Sequence, residues 1–100
     1  MRRGTTPVYT MTFRQGTGAQ ISDICFTIKQ GTTQLIRHLS DEDVELSGDM
    51  ATTRLSQEDT NSFSKGTCDI QVKVKLSDGT VKSSDIFHEV VYDVLHEEEL

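Results

Sequence analysis

The sequence contains no tryptophan, a single proline and only two cysteines, and it lacks any long apolar run. Because tryptophan is absent, the core has to be built from valine, isoleucine, leucine and four phenylalanines, which predicts ordinary or modest stability. The longest purely aliphatic runs are pairs such as Val90-Val91, whereas a membrane span needs about 18 consecutive apolar residues. We therefore expect a soluble protein without a membrane partner.

Two cysteines are too few for a disulfide-dense secreted scaffold, and their spacing does not form a close metal-binding pair. Cys68 shares the phase of the apolar side of its strand, whereas Cys25 alternates with Ile24 and Phe26 and points the other way. Opposed phases still allow a bridge between two sheets. Free thiols in a reducing compartment are the preferred interpretation.

The charge balance is acidic, with 10 lysines and arginines against 16 aspartates and glutamates and a formal net charge of −6. A field of this sign repels phosphate backbones and anionic lipids, which predicts that nucleic acid is not a partner. Met1-Arg2-Arg3 resembles the charged start of a signal peptide, but Gly4-Thr5-Thr6-Pro7 is not the apolar stretch that such a peptide requires. We expect no export by that route.

Residues 68–76 give the strongest structural signal, because apolar and polar side chains alternate strictly along them. The turn sequence Ser77-Asp78-Gly79-Thr80 follows at once, and a second apolar run begins at Val81. This pattern predicts a β-hairpin with one wet face.

Similar alternation predicts strands over residues 7–13, 23–30, 33–39 and 50–55, with a turn at 15–18. The acidic segment 40–49 is typical of a short edge strand or a loop, where charge discourages aggregation. Residues 81–95 form the last strand region, but Ile86 and Val90 disagree in phase with Phe87 and Val91. A bulge or burial on both faces would explain this mixed phase.

Ser56-Gln57-Glu58-Asp59 is a helix-capping sequence and predicts one or two helical turns over residues 56–63. About seven strands at spacings of roughly ten residues, with one helical turn, predict an antiparallel β-sandwich of the immunoglobulin-like type. The helical turn matches the crossover between its two sheets, and an open barrel is the alternative. We expect a single domain over residues 1–100, with flexible tails at 1–6 and 96–100.

Catalytic chemistry finds little support in the sequence. His38, His88 and His96 are the only imidazoles, and none lies in a local nucleophile motif. His88 shares the phase of Ile86 and Val90, which predicts a half-buried strand histidine and not a base. We therefore predict no enzyme and no catalytic residue, and a small hydrolase that uses His38 or His88 is the least favoured function.

The candidate metal-binding and phosphate-binding segments do not match the sequence patterns that such sites require. A calcium loop that starts at Asp41 would need glycine at Leu46 and glutamate at Thr52. The run His96-Glu97-Glu98-Glu99 would lack outer-shell support for a metal. Gly16-Thr17-Gly18 precedes a strand and not a helix, so it is a turn and not a phosphate loop. No cofactor and no metal ligand is predicted.

A binding or assembly role remains after this elimination, because β domains without pockets commonly offer sheet edges and termini to other chains. We expect self-association through an exposed strand edge or a terminus. The alternative is a carbohydrate-binding or cell-surface-binding accessory module. Such sites need exposed aromatic side chains, for which the sequence offers Tyr9 and Tyr92.

Three segments together resemble a family of proteins of about this length that phages and prophages of low-GC Gram-positive bacteria encode, usually among their virion structural genes. These segments are Met1-Arg2-Arg3-Gly4-Thr5-Thr6-Pro7, then Leu55-Ser56-Gln57-Glu58-Asp59-Thr60, and residues 70–80 leading to Ser84-Asp85-Ile86. The similarity spans nearly the whole chain.

This resemblance implies a small phage structural or assembly protein from the tail or baseplate region, without enzymatic activity. The implied partners are other phage structural proteins, with a homo-oligomer as a further option. The implied location is the host cytoplasm during assembly, or the virion. The family brings no catalytic residue to this chain.

Overall fold

The computed structural model describes residues 1–95, which form two antiparallel sheets and one short helix. A three-stranded sheet has the order β1-β5-β4, and a five-stranded sheet has the order β3-β2-β6, with β7 and β8 both paired to β6. A short 3-10 turn, Gly18–Gln20, precedes β2. The elements are β1 (Val8–Thr12), β2 (Ile21–Gln30), β3 (Thr33–His38), β4 (Glu45–Ser47), β5 (Met50–Arg54), α1 (Gln57–Asn61), β6 (Gly66–Leu76), β7 (Val81–Ser83) and β8 (Phe87–Val91).

The long strands β2 and β6 form the centre of the five-stranded sheet, and their period-two pattern decides which face is buried. Ile24, Phe26 and Ile28 lie opposite Val74, Val72 and Ile70 and point toward the other sheet. The lysines of β6 alternate with them and point outward. The predicted hairpin after β6 is confirmed, since Gly79 takes φ +90° and the Asp78 carboxylate accepts from Thr80 N at 2.8 Å.

The two sheets meet in one core, and the prediction of a two-layered, mostly β protein is confirmed. The rings of Tyr9 on β1 and Phe26 on β2 lie 5.2 Å apart between centroids, so they pack across the interface. Beside them lie the other buried side chains, which come from both sheets, from the 40–44 turn and from the segment around α1. The buried hydrophobic set is Ile24, Phe26, Ile28, Val44, Ala51, Leu55, Phe63, Cys68, Ile70, Val72 and Val91.

The helix α1 connects β5 of the small sheet to β6 of the large sheet. Its predicted cap is confirmed, because Ser56 Oγ accepts from Asp59 N at 3.0 Å and Asp59 Oδ2 accepts from Ser56 N at 2.8 Å. The other oxygen, Asp59 Oδ1, accepts from Arg37 Nη2 of β3 at 2.6 Å. One carboxylate therefore caps the helix and ties it to the edge of the large sheet.

The turn before β2 is confirmed and is packed tightly against the β4–β5 turn. The Asp49 carboxylate accepts from Gly16 N at 3.0 Å and from Gly18 N at 2.8 Å. A Cβ atom at Gly18 would lie 1.8 Å from the carbonyl oxygen of Gly48, a distance that no packing permits. Only glycine therefore fits where these two loops meet.

Residues 81–95 contain a bulge, one of the two features predicted from their mixed phase. Ile70 lies opposite Phe87 and Lys73 opposite Ser83, so two residues of β6 face three residues between β7 and β8. Ser84 lies in this bulge, where its Oγ accepts from Val72 N at 3.0 Å. One extra residue reverses the alternation of β8 relative to β7.

Residues 1–6 lie against the end of β8. Tyr92 N donates to the Met1 carbonyl at 2.8 Å, and Arg3 N donates to the Tyr92 carbonyl at 3.0 Å. Thr60 Oγ1 of α1 donates to the Thr5 carbonyl at 2.9 Å. Flexibility of this segment stays a prediction, but its position is held by hydrogen bonds. The second tail that we predicted, residues 96–100, lies outside the described residues.

Candidate functional site

Exposed apolar side chains concentrate in the last strand region of the chain. Of the nine large hydrophobic residues exposed within residues 1–95, six lie between positions 81 and 95. Five of them belong to β7, the bulge, β8 and the residue that follows β8, and we call these five the apolar edge. The apolar edge is Val81, Ile86, Phe87, Val90 and Tyr92, and its side chains are between 46% and 61% exposed.

A groove of about 460 Å³ lies beside the apolar edge, between β1 and the strands β6 and β7. The sheets lie apart here because β1 ends the small sheet while β7 extends the large one. The side chain of Lys82 is the only charged group that lines the groove within the described residues. The apolar lining is Met11, Phe13, Val72, Val74, Leu76 and Phe87.

Backbone groups without a strand partner border this groove on both sides. Pro7 O and Phe13 N are bonded to β5, so alternation turns the peptide groups of Val8, Thr10 and Thr12 toward the free side of β1. Thr80 O and Ser84 N are bonded to β6, so the peptide groups of Val81 and Ser83 face away from it. In the described part of the chain, no strand lies beyond β1 or β7.

One hydrogen bond links the two sheets near the groove. Tyr9 on β1 donates its hydroxyl to Glu89 Oε2 on β8 at 2.6 Å, and Glu89 also accepts from the amino group of Met1 at 2.8 Å. Burial raises the pKa of Tyr9, and the hydrogen bond to Glu89 raises it further. Tyr9 therefore stays protonated and holds β1 against β8.

The two tyrosines have different surroundings. The hydroxyl of Tyr9 is taken by Glu89 and its ring packs on Phe26, so little of it is offered to a ligand. Tyr92 is 52% exposed, and the guanidinium of Arg2 lies 5.3 Å from its ring centroid. Of the two tyrosines, Tyr92 therefore presents the aromatic surface of the kind that carbohydrate binding needs.

The prediction for His88 is wrong, since 69% of its side chain is exposed and its Nδ1 lies 2.7 Å from Asp69 Oδ1. The bulge is the reason, because it places His88 and Val90 on the outer face of the large sheet, which nothing in residues 1–95 covers. His38 lies on the same outer face, with its Nδ1 at 3.1 Å from Asp23 Oδ2. Neither imidazole lies among the buried core residues.

The cysteines have the opposed orientations that their phases predict. Cys68 is 1% exposed within the core, while Cys25 is half-buried on the outer face of the large sheet, and both are free thiols. Sequence reasoning missed that Cys25 lies directly opposite His38, the partner of Asp23. The turn at Gly31-Thr32 could have revealed this pair, because it fixes the register of β2 and β3.

Acidic side chains in the 40–45 segment belong to a turn that leads into β4 at the edge of the small sheet. Asp41 N and Asp43 N both donate to the carbonyl of His38, and Val44 is 2% exposed. Within residues 1–95, no group of three or more histidine, cysteine, aspartate or glutamate side chains is arranged to hold a metal ion. The possible metal run at 96–99 lies outside the described residues.

The apolar edge and its groove can receive an extended polypeptide, because free peptide groups and apolar side chains lie side by side there. No helix among the described residues is long and apolar enough to cross a membrane. No protein-family model, no curated protein and no solved structure matches this chain significantly.

Proposed function

We propose that this protein is a non-enzymatic structural or assembly module of phage or prophage origin, which works through protein–protein contacts. Its contact surface in this proposal is the apolar edge with the adjoining groove, and the partner that binds there is a second copy of the chain. Other phage structural proteins would then bind elsewhere on the assembled form. The observation that carries the proposal is the concentration of exposed apolar side chains along a sheet edge whose outer side is unpaired within residues 1–95.

An apolar edge strand is unusual, because the free peptide groups along its outer side can pair with another chain. Proteins protect such edges with charged side chains, proline or a covering segment. Here the covering segment, residues 1–3, binds residues 89–93 of this region, and Val81 and Phe87 remain open. A surface that is left open in this way fits a binding site better than a solvated face.

Charge favours this surface for contact between two copies. Each chain carries a formal net charge of −6, so copies repel each other over most approaches. The groove is lined by a single charged side chain, Lys82, which is basic. Asp85 lies in the adjoining bulge, but the groove lining itself holds a lysine and no carboxylate, so two acidic copies repel each other less there.

The phage assignment rests on the resemblance of the three segments described above, and the tail or baseplate is its expected setting. We also propose an immunoglobulin-like topology for the sandwich. Its support is that α1 crosses from one antiparallel sheet to the other immediately before the longest hairpin. A gene neighbourhood of tail genes would support the phage assignment, and a metabolic operon would contradict it.

Light scattering coupled to size-exclusion chromatography, over a concentration series, tests the contact surface. We expect the mass to rise from one chain toward two as concentration increases. Phe87→Asp should hold the protein at one chain, because it places a charge in the groove. The matched control is Ile36→Asp, which changes an equally open apolar residue, 45% exposed, on the opposite edge of the same sheet.

The control should associate as the unchanged protein does. A strictly single chain at the highest soluble concentration would contradict self-association. Equal loss of association in both variants would contradict the choice of edge. Circular dichroism spectra of both variants should match that of the unchanged protein, so that unfolding does not explain either result.

A carbohydrate-binding or cell-surface-binding module stays the alternative function, and the exposed ring of Tyr92 is the observation in its favour. Glycan-array binding that Tyr92→Ala abolishes would favour this alternative over an assembly role.

A further inference from the structure

Cys25, His38 and Asp23 lie together on the outer face of the five-stranded sheet. Cys25 on β2 and His38 on β3 are direct cross-strand partners. The neighbouring pair is joined by a bond from Leu39 N to the Ile24 carbonyl, so Cys25 and His38 form a non-hydrogen-bonded pair. Side chains approach each other most closely in pairs of this kind. The thiol and the imidazole are therefore neighbours by backbone geometry.

Asp23 orients the imidazole. His38 Nδ1 lies 3.1 Å from Asp23 Oδ2, while Asp23 Oδ1 accepts from Ile24 N at 2.9 Å and from Ser40 N at 3.0 Å. Burial would raise the pKa of Asp23, but these donors outweigh it and lower the pKa. Asp23 thus remains a carboxylate at neutral pH. Its contact with Nδ1 leaves Nε2 of a neutral His38 as the acceptor for a proton.

Cations flank the thiol on its other side. Lys73 of β6 is the cross-strand partner of Cys25, and Lys75 is the partner of Asp23. The hydroxyl of Thr27 lies 3.6 Å from Cys25 Sγ. Positive side chains therefore lie on the strand next to the thiol. A depression of about 250 Å³ opens beside them, and its lining includes Cys25, His38 and Lys73, so a small molecule can reach the half-buried thiol.

We propose that Cys25 is a reactive thiol that exchanges with peptide or low-molecular-weight disulfides, with His38 as its base and Asp23 as the residue that positions His38. The thiol proton moves to His38 Nε2, and Cys25 Sγ attacks one sulfur of the disulfide. A bond forms between Sγ and that sulfur, the original S–S bond breaks, and the leaving thiolate takes the proton from His38. Cys25 is oxidised to a mixed disulfide and the incoming disulfide is reduced.

The surroundings favour a disulfide over an acyl substrate. Acyl transfer needs free hydrogen-bond donors for an oxyanion. Cys25 lies between two paired strands, so the backbone N–H groups around it belong to the sheet ladders. Disulfide exchange needs only a thiolate, access and nearby positive charge. The modification is one event per chain and not a turnover. Val81 of the apolar edge also lines the depression, so modification and association are measured separately.

The second cysteine provides an internal control. Cys68 is 1% exposed in the core, and its pKa is raised by burial and by Glu89. A buried thiol with a raised pKa reacts slowly. The folded protein therefore contains one accessible thiol, Cys25, that fits the proposal. The other thiol, Cys68, is buried and has a raised pKa, so it does not fit.

Reaction of the folded chain with oxidised glutathione, followed by intact-mass spectrometry, tests the proposal. We expect one glutathione per chain, on Cys25, at a rate at least about tenfold above that of Cys68. Cys25→Ser should abolish fast addition, and Cys68→Ser should leave it unchanged. His38→Gln should slow the addition about tenfold at pH 7 and remove the inflection due to His38 from the pH profile.

Asp23, Lys73 and Lys75 also face the thiol, so the same profile is measured on Lys73→Gln. This variant should slow addition at every pH but keep the inflection, since the base remains. The proposal is overturned if Cys25 reacts no faster than Cys68. It is also overturned if His38→Gln leaves both rate and profile unchanged while the circular dichroism spectrum stays native.

Discussion

The two edges of the five-stranded sheet are built in opposite ways. At the β3 edge, Arg37 binds Asp59 of α1, and the carbonyl of His38 accepts from the turn that follows it. Ile36 is the only large exposed hydrophobic residue of β3. At the other edge, the five exposed apolar side chains of the apolar edge lie on β7, the bulge, β8 and the residue after β8. The first edge is therefore tied into the fold, and the second is available to a partner.

We therefore expect the two edges to have separate roles, with the β3 edge stabilising the fold and the β7–β8 edge binding a partner. The β3 edge uses an ion pair whose side chains are 23% and 17% exposed, so solvent weakens it less than a surface pair. The β7–β8 edge is tied to the rest of the fold at β8, by the hydrogen bond from Tyr9 to Glu89 and by the segment 1–3, while Val81 and Phe87 stay exposed. Changes at the first edge should alter the free energy of unfolding, and changes at the second should alter association.

The largest effect is expected for Asp59→Ala, which removes both the side-chain half of the capping box, the bond from Ser56 N, and the partner of Arg37. We expect a loss of about 2 kcal/mol in the free energy of unfolding, measured by urea denaturation. Asp85→Ala, an exposed carboxylate of the β7–β8 bulge, is the matched control and should change stability by less than about 0.5 kcal/mol. Equal losses in the two variants would contradict the contrast between the edges.

Lowering the pH should weaken the contact between Asp59 and Arg37 at the β3 edge before it affects the apolar edge. Burial would raise the pKa of Asp59, but Arg37 and the Ser56 N–H lower it below its ordinary value. The unfolded chain then binds the proton first, so this contribution is complete above about pH 4 and is lost as pH falls further. Asp59→Asn should flatten the decline of stability below that pH. An unchanged slope in urea titrations would show that Asp59 does not contribute to it.

Most of the fold could be predicted from the sequence, because its main signals depend on residues that are close together in the chain. The alternation in β2 and β6 reports directly which side chains are buried, and the Ser56 cap and the Asp78-Gly79 turn depend on adjacent residues only. The exposure of His88 could not be deduced, because one extra residue near Ser84 reverses every later side chain.

The candidate surfaces depend on contacts that no local pattern contains. The groove exists because Met11 of β1 lies across from Val74 of β6, far along the chain and in the other sheet. The cross-strand pairing of Cys25 with His38 depends on the register of a hairpin. Sequence reasoning predicted an exposed strand edge as the binding surface, but it did not identify which of the sheet edges is apolar.

The smallest effect on stability, and the clearest separation of the two edges, is expected for Val81→Lys. Val81 is 61% exposed, so the substitution should change the free energy of unfolding by less than about 0.5 kcal/mol. A charged side chain on an edge strand opposes pairing with another chain, so the proposed dimer should weaken at the same time, as measured by sedimentation equilibrium.

Added salt should strengthen the unchanged dimer, because it screens repulsion between two chains of net charge −6. If added salt dissociates the dimer, or if Val81→Lys leaves it intact, then ion pairs at another surface hold the two copies together.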